Sequence, residues 1–360
     1  MEPSTTITLC LERAAPFGNI VSGDTIAPFV IASEGFGIWG NFVVDAIVRI
    51  LLHRRHGHAA PTIKWENTDT ADLMVRSCFD NPGASWMEHR WTDRRIPYIL
   101  WCGEPIEVYG RPGYTELFTL KTFDGPTPSG APYFCVPYCT MAFPYARLRT
   151  IAPLNTPGLG ASLREYAQTH ESAPRPRLVA YCARKPMEPR DRLFRECYAA
   201  GKRAGKAGAV GTSLAIDGLG AASNTGIASP EGAWNSEGLI ATYSQYQFVF
   251  AMENTALSGY ITEKIINAYK AGAVPIYWGD VAGAKRIFNP ESFVDASQFQ
   301  NGEELFKYLW ELSNDRDRYM KMATAYPFNS PTLPDIFDLD NLDNPFYGAI
   351  AGALEERMAL

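Results

Sequence analysis

Tyr260, Glu263 and Lys264 stand at i, i+3 and i+4, at the head of a run with helical spacing. On a helix these three share one face of the first turn, where backbone N–H groups lack carbonyl partners and the helix dipole is positive. That combination suits a nucleotide diphosphate. Lys264 would neutralise phosphate, Glu263 would accept two hydrogen bonds from a ribose diol, and Asn254, upstream, would bond sugar or base. The same Glu263 and Lys264 would also serve as an ordinary capping and solubility pair. A further carboxylate, Glu104, lies between Gly103 and Pro105 just past an apolar run. That context makes it a fixed side chain at a strand end; the alternative is a loop acid capping a neighbouring helix.

The elements that must position these groups are legible. Phe248 to Met252 reads as a buried strand that breaks at a polar Glu253-Asn254-Thr255 corner. Thr262 offers a side-chain oxygen at a helix start, Ile265, Ile266 and Tyr269 form an apolar stripe, and Gly272 supplies the stop. Val274 to Trp278 is a second strand, ended by Gly279. This is a β-α-β unit of a parallel sheet, and ligands bind such sheets at the carboxyl ends of the strands. Arg177 to Ala183 opens the same sheet, and a helix with Leu193, Phe194 and Cys197 follows. Helices at Glu303 to Leu312 and Arg316 to Ala325 complete this half, and 199–233 reads as a long Gly/Ala/Ser loop. In the first half, strands are expected at Thr6 to Leu11, Phe29 to Ala32, Asp72 to Arg76, Ile96 to Trp101, Glu116 to Leu120 and Tyr133 to Pro137. Pro174-Arg175-Pro176 is a stiff linker between a domain over 1–173 and another over 177–330, with an acidic tail over 331–360. Two such α/β stretches fit paired Rossmann-like domains.

Gly35-x-Gly37-x-x-Gly40, between an expected strand and a helix, matches a dinucleotide-binding fingerprint, with Glu66 as the ribose acid. Against it, the apolar helix pattern (Val43, Val44, Ile47, Ile50, Leu51) starts only after Gly40, whereas the fingerprint needs its last glycine inside the helix. His53, His56 and His58 invite a metal, but cations before Gly57 satisfy the last carbonyls and the dipole of a helix end, and that is the expected role of His53-Arg54-Arg55-His56.

With 360 residues, 46% of them hydrophobic, the chain can bury the cores of two ordinary domains. A net charge of −6 argues against a nucleic-acid or anionic-membrane partner, so any phosphate site must be built locally. The first residues lack the basic start and apolar run of a signal peptide or membrane anchor, which leads to the expectation of a cytoplasmic protein. Seven cysteines, without a CxxC pair, fit reduced core residues; Cys135 and Cys139 have a loose metal-like spacing but no second pair.

Phe250, Glu253, Asn254, Tyr260, Thr262, Glu263, Lys264, Ala271, Gly272, Val274, Pro275 and Gly279, in unbroken spacing, resemble the fucosyltransferase motif of the family 10 glycosyltransferases, which use GDP-fucose. The likeness continues through Phe288-Asn289-Pro290 and Ser292-Phe293-Val294 and is weaker in the first half. It implies a GT-B-type α/β fold, two Rossmann-like domains facing a central cleft, and inverting transfer of L-fucose from GDP-β-L-fucose to a glycan hydroxyl. It implies Glu104 as general base and a phosphate-binding arginine at the head of the helix after Arg177 to Ala183. Arg190 matches best, because Leu193 and Phe194 follow at +3 and +4, and Arg192 is the alternative; a solvated basic turn would also explain these arginines. Phe36, Trp39 and Trp101 become candidates for acceptor contact. No cofactor or resident metal is expected, with Mn²⁺ at most a stimulant. Asp338-Leu339-Asp340 has the DxD pattern of metal-dependent glycosyltransferases but lies near the C-terminus, where a solvated turn is expected. The expected partners are GDP-fucose and a glycan acceptor. Linkage and oligomeric state do not follow from these residues.

Overall fold

The computed structural model describes residues 8–11, 37–57, 63–65, 73–77, 97–105, 115–127, 130–141, 175–206, 215–232, 236–330 and 333–358. They form two compact units, Met1–Pro144 with Asp335–Leu360, and Tyr145–Pro334. Both are parallel α/β.

In the first unit, β1 (Thr8–Leu11), β2 (Lys64–Trp65), β3 (Leu73–Ser77), β4 (Tyr98–Cys102), β5 (Glu116–Lys121) and β6 (Tyr133–Cys135) form one parallel sheet in the order β2-β1-β3-β4-β5-β6. All five residues of β4 are buried, as expected of a central parallel strand covered on both faces. Helix α1 runs over Gly37–His56. It therefore starts before Gly40, not after it as the apolar pattern implied. The strand expected at Phe29 to Ala32 and the acid Glu66 lie outside the described residues.

In the second unit the strands are β7 (Arg177–Tyr181), β8 (Ile216–Gly218), β9 (Tyr246–Met252), β10 (Val274–Trp278) and β11 (Val294–Asp295), all parallel, in the order β11-β10-β9-β7-β8. Helices α2 (Arg190–Lys206), α3 (Glu237–Tyr243), α4 (Glu263–Lys270), α5 (Val281–Ile287), α6 (Gly302–Asn314) and α7 (Arg316–Ala323) connect them. The core joins Leu178, Phe194, Phe248, Phe250, Ile276, Leu305 and Leu309, with the Phe194 and Phe250 rings edge to face at 5.7 Å. Asn301 caps α6 through Glu303 and Glu304 N–H. Gly302 brings this end against α2: a Cβ there would stand 2.2 Å from the Leu193 carbonyl oxygen.

The stretch 199–233 is not one long loop, because α2 continues to Lys206 and β8 occupies Ile216–Gly218. The acidic tail expected over 331–360 contains a packed helix. Helix α8 (Pro345–Met358) buries Tyr347, Ile350 and Leu354, and Asn344 accepts from Tyr347 N–H at 3.1 Å at its start. It joins the first unit through the basic end of α1: Arg54 donates to Gly348 O at 2.7 Å and Arg55 to Glu355 at 2.9 Å. The arginines before Gly57 thus serve the returning helix. Asp340 lies 3.7 Å from Arg49, and Leu339 O accepts from the same side chain at 3.0 Å.

Candidate functional site

The expected donor residues gather at the carboxyl edge of the second sheet, where β7 leads to α2 and β9 leads to α4. Arg190 is the first residue of α2 and is buried at 4% exposure. Its guanidinium donates to Asn254 Oδ1 at 2.5 Å and to Lys185 O at 2.8 Å, while its buried Nε makes no hydrogen bond. Arg192 is exposed, so of the two arginines Arg190 faces the strand ends. Asp191 organises the turn beneath: its carboxylate is fully buried and accepts from the Tyr181 hydroxyl at 3.0 Å, Ser223 at 3.1 Å and Met187 N–H at 2.5 Å.

Across from it, Glu253 and Asn254 follow β9 directly. Glu253 is fully buried and accepts from Thr262 N–H at 2.7 Å, the Thr262 hydroxyl at 2.7 Å and Lys264 Nζ at 3.1 Å. Lys264 Nζ also donates to Thr262 Oγ1 at 2.8 Å and stands 3.5 Å from Glu263. Burial pushes the Glu253 carboxyl up, with Lys264 and Thr262 pulling it back. Burial works to lower the Lys264 ammonium, but the charges of Glu253 and Glu263 outweigh it and the net shift is upward. Asp280 ties the corner down by accepting Gly259 N–H at 2.7 Å and Gly283 N–H at 2.9 Å.

Two local expectations need correction. Thr262 sits at the N-cap of α4 but makes no side-chain cap, because its hydroxyl is spent on Glu253. Tyr260 precedes the helix, which begins at Glu263, so the three residues do not share a helical face; Tyr260 is buried in the turn, its N–H on Leu257 O at 3.1 Å. Arg190 with Asn254, and Glu263 with Lys264, are nevertheless brought to one sheet edge. Asn254 differs from expectation in that its carbonyl already serves Arg190.

On the first unit, Glu104 lies two residues past β4 and is half-buried, and its backbone carbonyl accepts from Cys102 Sγ at 3.2 Å. Trp101 is a buried strand residue at 4% exposure. Trp39 falls in the first turn of α1, and Phe36 lies outside the described residues. With Gly40 inside α1, the helix start no longer argues against a dinucleotide fingerprint. Among the described residues, no group of three His, Cys, Asp or Glu is placed to hold a metal ion, no helix is long and apolar enough to cross a membrane, and the cysteines form no disulfide.

The role of Glu253 is the one sequence reasoning missed. Its signal was a carboxylate immediately after an apolar strand, ten residues ahead of the first helix position at Glu263.

The family model for glycosyltransferase family 10 (fucosyltransferase), C-terminal part, matches residues 192–324, which include Asn254, Tyr260, Glu263 and Lys264. Over those residues the chain is similar to the C-terminal part of family 10 glycosyltransferases. Within curated proteins, the alpha-(1,3)-fucosyltransferase FucT of Helicobacter pylori is 44% identical over 87 residues, 24% of this chain and 18% of that protein. An alpha-(1,4)-fucosyltransferase of Arabidopsis thaliana is 40% identical over 81 residues, 22% of this chain and 20% of that protein. The matched stretch is thus about a fifth of either relative's length. A crystal structure of an alpha1,3-fucosyltransferase with GDP-fucose aligns with TM-score 0.57 and 19% identity over 99% of this chain and 91% of that one. At that identity the likeness shows the fold alone, the GT-B-type α/β architecture.

Proposed function

We propose that the protein is an inverting fucosyltransferase that moves L-fucose from GDP-β-L-fucose to a hydroxyl of a glycan acceptor, in α-1,3 linkage to a GlcNAc- or Glc-type sugar. The observation that carries the reading is the pairing of two cations, Arg190 and Lys264, at one sheet edge beside a helix start that no side chain caps. The GDP-fucose complex of the structural neighbour supports the donor, and the names of the curated relatives support the sugar.

In this mechanism the acceptor oxygen attacks the anomeric carbon, a new C–O bond forms as the bond to GDP breaks, and the proton passes to the Glu104 carboxylate. Arg190, Lys264 and the positive end of α4 absorb the charge of the departing diphosphate. Glu263 and Asn254 hold the nucleoside side. Phe36, Trp39 and Trp101 belong to the acceptor half of the reading. No step needs a resident metal, and Mn²⁺ acts at most as a stimulant.

Since no residue above is assigned to the fucose methyl group, another GDP-sugar is the nearest alternative. The start of α1 at Gly37 favours a second one, an NAD(P)-dependent oxidoreductase using the Gly35 to Gly40 turn. Calorimetric titration with GDP-fucose, GDP-mannose, GDP and NADPH, without metal and then with Mn²⁺, separates them. GDP and GDP-fucose should bind without metal, whereas binding of NADPH alone would overturn the transferase reading.

A further inference from the structure

Glu253 has no part in the chemistry above, yet it is fully buried at the end of β9. A buried carboxylate persists only when its oxygens are paired and hydrogen-bonded. Here the three donors are Thr262 N–H, the Thr262 hydroxyl and Lys264 Nζ. Two consequences follow for the proposed donor site. The Thr262 hydroxyl, the natural cap of α4, is drawn away from the helix start. The Lys264 ammonium, at the end of a flexible four-carbon stem, is held between Glu253 and Thr262 Oγ1.

The backbone makes room for this arrangement. Gly279, at φ +152°, lies against the glutamate: a Cβ there would stand 2.7 Å from Glu253 Cγ and 2.9 Å from the Tyr277 hydroxyl oxygen. Glu253 N–H in turn donates to Trp278 O at 2.8 Å, which anchors its backbone to the neighbouring strand.

We propose that Glu253 is a positioning residue of the donor site: it fixes the Lys264 ammonium at the head of α4 and keeps the Thr262 hydroxyl off that helix end, so that both are presented to a diphosphate. The inference rests on the reading of Lys264 as a phosphate ligand.

A double-mutant cycle with Lys264→Ala and Glu253→Gln on the full chain tests it, read as the GDP dissociation constant and as kcat. In the wild-type background Lys264→Ala should weaken GDP binding roughly thirtyfold, as expected when a charge-assisted contact is lost. In the Glu253→Gln background the same change should cost less than about threefold, because the ammonium is no longer held in place. A purely structural glutamate would lower the melting temperature but leave the Lys264→Ala penalty equal in both backgrounds, and that result overturns the proposal. If Lys264→Ala leaves GDP binding unchanged in the wild type, the phosphate-ligand reading itself fails and takes this inference with it. Should Glu253→Gln not fold, Thr262→Val removes only the hydroxyl link. It should shrink the Lys264→Ala penalty at least about threefold by the same cycle, and an unchanged penalty overturns the proposal.

Discussion

Replacing Arg190 by alanine removes a guanidinium that is buried at 4% exposure and makes two hydrogen bonds, one to Asn254 Oδ1 and one to Lys185 O. Bonds of this charged kind contribute about 1.5 to 3 kcal/mol each, and the two acceptors partly recover by rehydration, so a net loss of about 2 to 4 kcal/mol of stability is expected. For a unit of this size that lowers the melting temperature by roughly 4 to 16 °C. Catalysis should suffer separately. A preorganised donor aimed at developing charge contributes about 2.7 to 4 kcal/mol, which is roughly a hundredfold to a thousandfold in rate. The assay is transfer from GDP-fucose at a temperature well below the variant's own transition, with thermal unfolding measured on the same sample. Arg190→Lys keeps the charge without the planar fork that reaches both acceptors, so it should fall between wild type and alanine. Arg192→Ala, at an exposed position, should change little. If Arg190→Ala lowered the melting temperature while kcat/KM stayed within about threefold of wild type, the guanidinium would be a structural strut and its role at the diphosphate would be refuted.

Glu104→Gln should abolish transfer while leaving the GDP dissociation constant nearly unchanged; loss of GDP binding as well would remove Glu104 from the role of base. Lys264 also makes a pH prediction. Its pKa in the folded state is raised above the ordinary 10.5, so its contribution to stability is fully present below that value and is lost as pH rises through the folded one. Denaturant unfolding between about pH 8 and 11.5 should show an alkaline decline that is smaller in Lys264→Ala. Leu354→Ala, in the last helix, should destabilise the first unit by about 2 to 5 kcal/mol, because its side chain is fully buried, and a chain with an unaltered melting temperature would contradict the docking of α8 on α1.

Much of the second unit was legible because its signals are local. An apolar run from Phe248 to Met252, a glycine stop at Gly272 and a second run at Val274 to Trp278 can each be read within a few residues. The observed strands follow them closely, Tyr246–Met252 and Val274–Trp278. The residue types of the candidate site were likewise readable, since cation, carboxylate and amide fall next to the ends of buried strands. Helix α8 left a readable mark as well: Asn344 before Pro345 is a cap followed by a first-turn proline, a signal masked by the acidic run ahead of it.

What the tertiary structure decided depends on partners distant in sequence. Arg190 and Asn254 are 64 positions apart, and only the adjacency of β7 and β9 in the sheet brings them to 2.5 Å. The α1 arginines looked like a helix terminus because nothing near them in sequence names Gly348 or Glu355, nearly 300 residues on, as their acceptors. Thr262 read as a cap because capping is a local rule, and it was overruled by a buried carboxylate nine residues away whose need for donors is greater. Sequence by itself determined the central strands and the helix of the β9-α4-β10 unit and which chemical groups stand at their ends, through periodicity and turn chemistry. Which of those groups meet, and which are already engaged by a neighbour, was settled only by the order of strands in the sheet, because burial drives most polar atoms to a partner wherever the fold brings one within reach.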